Sequence, residues 1–490
     1  MSFIEKAEQE LNQTTTLNGD IAYNSTGNKC LDYFTLVGGY RGDNLMVNYL
    51  FSKAYQENRI DALKLMLYTR DIRGGIGERD LFRGLLALIS EDEVEFLDKL
   101  IPIIKDYGRF DDLLSLIGTK LEDNVIKYIG ETLNQDVSLK KEGKEYSLLA
   151  KWMPSVNTSN EYQRKLARLI ARKLGLSLKD YRKTLSYLRE GMIIENNLRE
   201  KSYNFEYEGV PSKALNKYRN AFNRNDFDRW NDFLEASIKD PSVMHTEVLD
   251  VVNFIRQIKY SYNKDESKYY KATWDTLVNE GEVKGKCLVV RDGSGSMTWG
   301  RGKIAPLDIA DAMSLLHSAR LTGPFKDKFV TFSSNPELID LSSIEKIEDK
   351  VKMLGRYNEC SNTNIERVFN LVYDVYNSKD FKEEDALDQV VIISDMQFDS
   401  AIEYVSGGYM SCYEIFKKKM DDKGYKTPEI VFWNVNSYGT VPVGKNEAGV
   451  KLISGSSKAI INLVSNVKSI DPMDMMNKTL LKYKFVEELA

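Results

Sequence analysis

Five oxygen-bearing side chains stand out by type and position. In LVVRDGSGSMTWG an apolar run closes on Asp292, and Ser294 and Ser296 follow, separated by single glycines. A second apolar run, VVIISD, closes on Asp395, and between the two the polar stretch NECSNTNIE carries Thr363. Two carboxylates and three hydroxyls, with no imidazole or thiolate, make a hard oxygen set. Such ligands suit Mg²⁺, with Mn²⁺ or Ca²⁺ as the alternatives, rather than Zn²⁺. Gly293 and Gly295 let the backbone turn sharply enough for both serines to point inward. The plainer reading, a serine-rich turn capping a helix, predicts no such convergence. No general base or nucleophile accompanies these groups. The chain has only two histidines, His245 and His317, and neither lies near a nucleophile motif. A binding site is expected, not a catalytic one, and the chain is not expected to be an enzyme.

For the two acids to meet, their runs must be parallel strands of one sheet, because ligands of open α/β sheets bind beyond the carboxyl ends of the strands. From about residue 284 the pattern supports this. CLVVRD, KFVTFS, QVVIISD, EIVFWNV and GVKLISG read as buried strands. APLDIADAMSLLHSARL, NIERVFNLVYDVYN, YEIFKKKMDDKG and KAIINLVS read as intervening helices, the first of them amphipathic. Up to about residue 275 the apolar spacing is helical instead, as in NLMVNYLFSKAYQE, IDALKLMLYTRD, ERDLFRGLLALIS and EVEFLDKLIPIIKDYG. Short connections predict antiparallel helical hairpins, HEAT-like but without a fixed period. Gly74, Gly75 and Gly77 break one helix before Glu78–Asp80 open the next, and GGIGER lacks the ending of a phosphate loop. The fold class expected is multidomain. Residues 1–275 form an all-α helical-repeat domain, with 1–20 partly a flexible arm, and 276–490 form an α/β domain with a parallel sheet. The polar stretch KDESKYYKATWDTLVNEGEVKG marks the boundary.

The 490 residues are 42% hydrophobic and 29% charged, ordinary for a globular protein. The four cysteines form no CxxC pair, which fits a reducing compartment. No apolar run approaches the roughly 18 residues of a membrane span, and MSFIEKAEQELNQ is no signal peptide. A cytoplasmic protein without membrane partners is expected. The net charge of −5 conceals a basic region, for residues 164–224 hold 15 Lys and Arg against 6 Asp and Glu. Helix EYQRKLARLIARKLG carries Arg164, Arg168 and Arg172 in one stripe, flanked by Lys165 and Lys173. YRKTLSYLRE adds Arg182, Lys183 and Arg189, interleaved with Tyr181 and Tyr187, and Arg70, Arg73 and Arg79 flank the glycine turn. Charge alone favours solvated helix faces. Basic groups beside aromatics are also what a sequence-tolerant RNA surface uses.

The spacing Asp-x-Ser-x-Ser, a later Thr and a later strand-end Asp resembles the metal-ion-dependent adhesion site (MIDAS) of von Willebrand factor A domains. That resemblance implies that Ser294, Ser296 and Thr363 touch the ion and that Asp292 and Asp395 act through waters. One position stays open for a carboxylate or phosphate. A helical-repeat half followed by such a domain resembles the Ro (TROVE) ribonucleoproteins. NSTGNKCLDYF, YTRDIRGGIGERDLFRGLL, YGRFDDLL, AKWMPS, YEGVPSKAL, ISDMQFDSA and PEIVFWNV are similar to an uncharacterised Ro-like family of plants, large viruses and phages. The resemblance implies a ring of helical repeats that binds small structured RNAs outside and the ends of misfolded RNAs in its hole. The function expected is Ro-like RNA binding, with a non-catalytic Mg²⁺ site for an acidic partner or phosphate. The alternative is a protein scaffold or virion-assembly module that uses the metal site without RNA; the Asn-, Lys- and Tyr-heavy composition hints at a viral genome. A monomer is favoured.

Overall fold

The computed structural model describes residues 7, 10–190, 194–300, 302–332, 336–357, 363–400 and 410–490. The part of the expected Thr363 loop at 358–362 lies outside the described residues. The chain divides into two compact units, one of residues 1–78 and 234–484, the other of 79–233 and 485–490.

The first unit is built on β1 (Gln13–Thr15), β2 (Ile21–Tyr23), β3 (Cys287–Asp292), β4 (Lys328–Phe332), β5 (Glu337–Asp340), β6 (Gln389–Ser394), β7 (Glu429–Asn434) and β8 (Val450–Ser454). Strands β1 and β2 form a short antiparallel hairpin. The other six form one sheet in the order β5-β4-β3-β6-β7-β8. All its pairings are parallel except β4–β5. The five runs expected as strands all pair. The sixth, β5, escapes sequence reading because only Ile339 of its four residues is buried, as befits an antiparallel edge. The connections leave β3 in one direction towards β4 and from β6 in the other towards β7 and β8. The β3/β6 border is therefore the topological switch point of the sheet.

Helices cover both faces. Pro306–Arg320 is buried on every side, not amphipathic as its sequence reads. Helices Val251–Ser261 and Ser267–Asn279 pack over the side expected to face water. The stretch expected as a polar boundary is thus a core helix, burying Tyr269, Tyr270, Trp274 and Leu277. The helices Lys29–Leu36, Asn44–Glu57 and Arg59–Arg70 also belong to this unit, the first against β8. That is why the compact units do not part near residue 275: helices that precede the sheet in sequence supply part of its covering layer. Nor are residues 13–20 a free arm. Thr16 Oγ1 donates to Phe398 O at 2.6 Å, and Leu17 N donates to the Gln397 side chain at 2.8 Å.

Gly38, in the 3₁₀ turn Val37–Tyr40 that follows the helix Lys29–Leu36, shows how tightly this segment meets the sheet. A Cβ there would lie 2.4 Å from Gly455 N and 2.5 Å from Ser454 C, both backbone. Backbone at this contact has no rotamer to yield. Gly38→Ala is expected to cost about 1–3 kcal/mol, read as a lower urea midpoint at unchanged slope; a midpoint equal to wild type would show that the contact yields freely.

His317 sits in the last turn of the buried helix, its Nε2 3.7 Å from Cys287 Sγ and its Nδ1 without a partner among the described residues. Burial, with the Arg320 charge adding to it, pushes its pKa down to about 4. The unfolded ring takes its proton near pH 6.5. The unfolded state therefore binds more protons between these values, and the contribution of His317 is complete above pH 6.5 and lost as pH falls towards 4. Stability is expected to decline by up to about 3 kcal/mol across that window. His317→Phe should flatten this part of the pH profile of the urea midpoint, and an unchanged slope would assign the loss to other groups.

In the second unit the expected helices form, with one interruption. EVEFLDKLIPIIKDYG breaks into Val94–Leu100 and Ile104–Tyr107, because Pro102 has no N–H to continue the ladder. Glu122–Lys141, Glu161–Lys173 and Leu178–Arg189 follow as longer helices, each burying an apolar stripe.

Candidate functional site

Strand β3 ends on Asp292, and Asp395 follows the last residue of the neighbouring β6. The apolar strand residues bury both carboxylates fully at the switch point. Asp292 is well partnered. Its Oδ1 accepts from Ser294 N at 2.8 Å and its Oδ2 from Ser394 Oγ at 2.6 Å. Asp395 accepts from Gln397 N at 3.2 Å through Oδ1, while its buried Oδ2 has no hydrogen-bond donor among the described residues. Ser294 and Ser296 place their hydroxyl oxygens 3.0 Å apart. Thr363 is buried, and its hydroxyl accepts from Asn18 Nδ2 at 3.2 Å. The same Asn18 amide donates to Gln397 O at 2.7 Å, which ties the threonine to the segment after Asp395.

The electrostatics of the pair are unfavourable as they stand. Burial raises the pKa of both carboxylates, and Asp292 raises that of Asp395 further by repulsion. The hydroxyl and amide donors around Asp292 offset only part of this. A divalent cation would reverse the sign of the problem, since its charge makes both carboxylates easier to ionise. An orphaned carboxylate oxygen, a hydroxyl pair and a hard-oxygen donor set fit such an ion. Among the described residues no group of three or more His, Cys, Asp or Glu is placed to hold a metal ion by itself.

Several contributors were not legible from the motif. Ser394 immediately precedes Asp395 and read as the end of a strand, yet it is the main donor to Asp292. Asn18 comes from the N-terminal hairpin, and no sequence signal ties it to Thr363. Arg291 read as one member of an apolar strand. It is fully buried and holds Asp311 through Nε at 2.7 Å and Nη2 at 2.6 Å. Asp311 also meets Lys259 at 2.9 Å, and Asp308 on the same helix is held by Arg256 and Lys259, each at 2.9 Å.

The eleven basic candidates divide. Arg70 is buried at the end of its helix. Arg73 is exposed in the glycine turn, and its backbone N–H donates to Asp71. Arg79 pairs with Asp80 at 2.8 Å, Lys165 with Glu161 at 2.8 Å, and Lys173 with Glu122 and Asp123. Arg164 donates to Thr158 O at 2.9 Å, a local structural bond. Arg189 donates to three neutral oxygens. Arg168, Arg172, Arg182 and Lys183 are exposed and have no ion-pair partner among the described residues. The expected stripe is therefore shorter: Arg168 and Arg172 on one helix, with Arg182 and Lys183 on the next.

No helix among the described residues is long and apolar enough to cross a membrane. Residues 286–482 match a family described as a domain of unknown function, DUF7788. The chain is similar to the uncharacterized protein L728 of Acanthamoeba polyphaga mimivirus, 26% identical over 96% of this chain and 88% of that protein. The crystal structure of the Deinococcus radiodurans RO (RSR) protein aligns over 91% of this chain and 92% of that one, at 12% identity and a TM-score of 0.39. The model of a second family, described as a domain of unknown function, matches residues 16–91 and 119–287, half of the chain, and the protein belongs to that family, DUF2828.

Proposed function

We propose that this protein binds RNA through the second unit and carries, at the β3/β6 switch point, a divalent-cation site without a catalytic role. The observation that carries the RNA reading is the group of exposed cations without ion-pair partners on two successive helices, Arg168 and Arg172 followed by Arg182 and Lys183. Exposed Tyr162 on the first of these helices supplies a face on which a base stacks. Such a surface neutralises phosphates and reads no sequence. Small structured or misfolded RNA is the ligand class that suits it. At the strand ends Ser294, Ser296, Thr363, Asp292 and Asp395 would hold Mg²⁺, and the ion would supply a positive charge for a carboxylate or phosphate.

Arg168→Glu/Arg172→Glu is expected to weaken binding of a single-stranded RNA and to reduce the slope of log K against log salt by roughly 0.7 for each phosphate that is no longer neutralised. A mobility-shift titration across salt concentrations measures both. Salt-insensitive binding, or no binding by the wild type, would refute the RNA reading.

One observation favours a second reading. Trp299, three residues beyond Ser296, is 81% exposed. An exposed indole beside an ion site suits an acidic protein ligand, with the ring as its apolar anchor. On that reading chelation and Trp299→Ala both abolish a partner complex, and charge reversal at Arg168 and Arg172 leaves it intact.

A further inference from the structure

The second unit contains a cleft of about 380 Å³. One wall is the helix Leu178–Arg189, where Arg182 and Arg189 are seven residues apart and so share a face. Ser155 and Asn157, after the short helix Leu149–Trp152, line it as well, together with Asn196 and Arg199 of Ile194–Glu200. Among the described residues no carboxylate lines this cleft.

Arg189 is the informative member. Its Nε donates to Ala150 O at 2.8 Å, its Nη1 to Ser155 Oγ at 2.6 Å and its Nη2 to Met153 O at 2.5 Å. Every acceptor is neutral. Burial lowers its pKa, yet a guanidinium keeps its proton in a protein. A half-buried cation held only by neutral oxygens lacks the counter-charge that such groups normally have. The three bonds fix the guanidinium plane and leave two of its five N–H groups unassigned. Arg182 has no ion pair among the described residues, and Arg199 meets only its neighbour Glu200, at 3.4 Å. Three guanidinium groups with amide and hydroxyl donors around one cavity form a receptor for an oxyanion.

We propose that this cleft seats a phosphate group, presented either by an RNA strand or by a free nucleotide. The inference deepens the RNA reading, because it names where in the second unit a phosphate is gripped rather than merely neutralised. Arg189 supplies the fixed, half-buried charge. Arg182 and Arg199 close on the phosphate oxygens, and Asn157 and Asn196 offer amides to the attached sugar or base.

The test uses the full chain and three probes: inorganic phosphate, AMP, and a fluorescein-labelled ten-residue oligouridylate. Calorimetry reads the first two and anisotropy the third. Arg189→Gln removes three structural bonds and can unfold the region, so the deciding variant is Arg182→Gln/Arg199→Gln, checked by an unchanged melting temperature. Loss of each guanidinium is expected to weaken binding about tenfold. Weakening of the oligouridylate with AMP assigns the cleft to the strand. Weakening of phosphate and AMP, with an oligouridylate that does not bind at all, upholds the cleft as a nucleotide site and removes the RNA reading. Oligouridylate binding equal in wild type and double variant, with no binding of phosphate or AMP, overturns the cleft and leaves the RNA reading to Arg168 and Arg172. No binding of any probe by the wild type overturns both.

Discussion

Arg291→Met is expected to destabilise the first unit by about 3–5 kcal/mol, the cost of removing one partner from a fully buried ion pair. The guanidinium and the Asp311 carboxylate are both buried, and two nitrogens of Arg291 converge on the same oxygen. Without Arg291, Asp311 keeps one cation, Lys259, at 2.9 Å. The variant thus leaves a carboxylate under-compensated in a site that water does not reach. Arg291→Met/Asp311→Leu should recover much of the loss, because a buried pair replaced by apolar groups of similar volume is often nearly neutral. Urea unfolding followed by tryptophan fluorescence measures both. A single variant within about 1 kcal/mol of wild type would mean that the pair contributes nothing beyond packing. The residue also has a bearing on the site. It directly precedes Asp292, and its Nη1 lies 3.5 Å from Tyr357 O, ahead of the loop that carries Thr363. The single variant should therefore weaken Mg²⁺ binding as well.

Mg²⁺ at about a thousandfold excess over its Kd should stabilise the first unit by about 4 kcal/mol, since a ligand that binds only the folded state adds RT ln(1 + [L]/Kd). EDTA should reverse the effect. Asp395→Asn is the deciding variant, because it acts in opposite directions with and without the ion. In the absence of metal it removes a buried charge that repels Asp292 and whose Oδ2 has no donor among the described residues, so the melting temperature should rise. In the presence of Mg²⁺ it removes a contributor to the site, so the stabilisation should vanish. A protein in which Asp395 merely decorates the sheet would show the first effect and keep the second. A protein indifferent to Mg²⁺ at millimolar concentration, in wild type and variant alike, would end the metal reading. Ca²⁺ and Mn²⁺ in the same assay rank the ions by size and hardness.

The remaining basic side chains show how far charge patterning reaches. The stripe Arg164–Arg168–Arg172 is a fact of helical spacing, so it was legible in sequence. Which members face water without an ion-pair partner was not. Lys173 is claimed by Glu122 and Asp123, fifty residues earlier, and Arg189 by the carbonyls of Ala150 and Met153. A count of charges places a basic region; the carboxylates and carbonyls that neighbouring helices bring alongside decide which charges are left for a ligand.

The same division runs through the whole molecule. Sequence by itself determined the local elements, because the period of apolar residues and the placement of glycine and proline act over a few residues. It marked the five buried strands by unbroken Val and Ile runs, and it marked Asp292 and Asp395 as acids at strand ends. Tertiary structure alone decided that β3 and β6 are neighbours, which brings those acids together, since strand order is set by crossovers that no local pattern records. It alone decided that Arg291 has a carboxylate, that Asn18 reaches Thr363 and that Tyr270 and Trp274 are core rather than linker. Contacts between segments tens to hundreds of residues apart arise from packing the assembled layers, and the energy that selects them belongs to the whole fold.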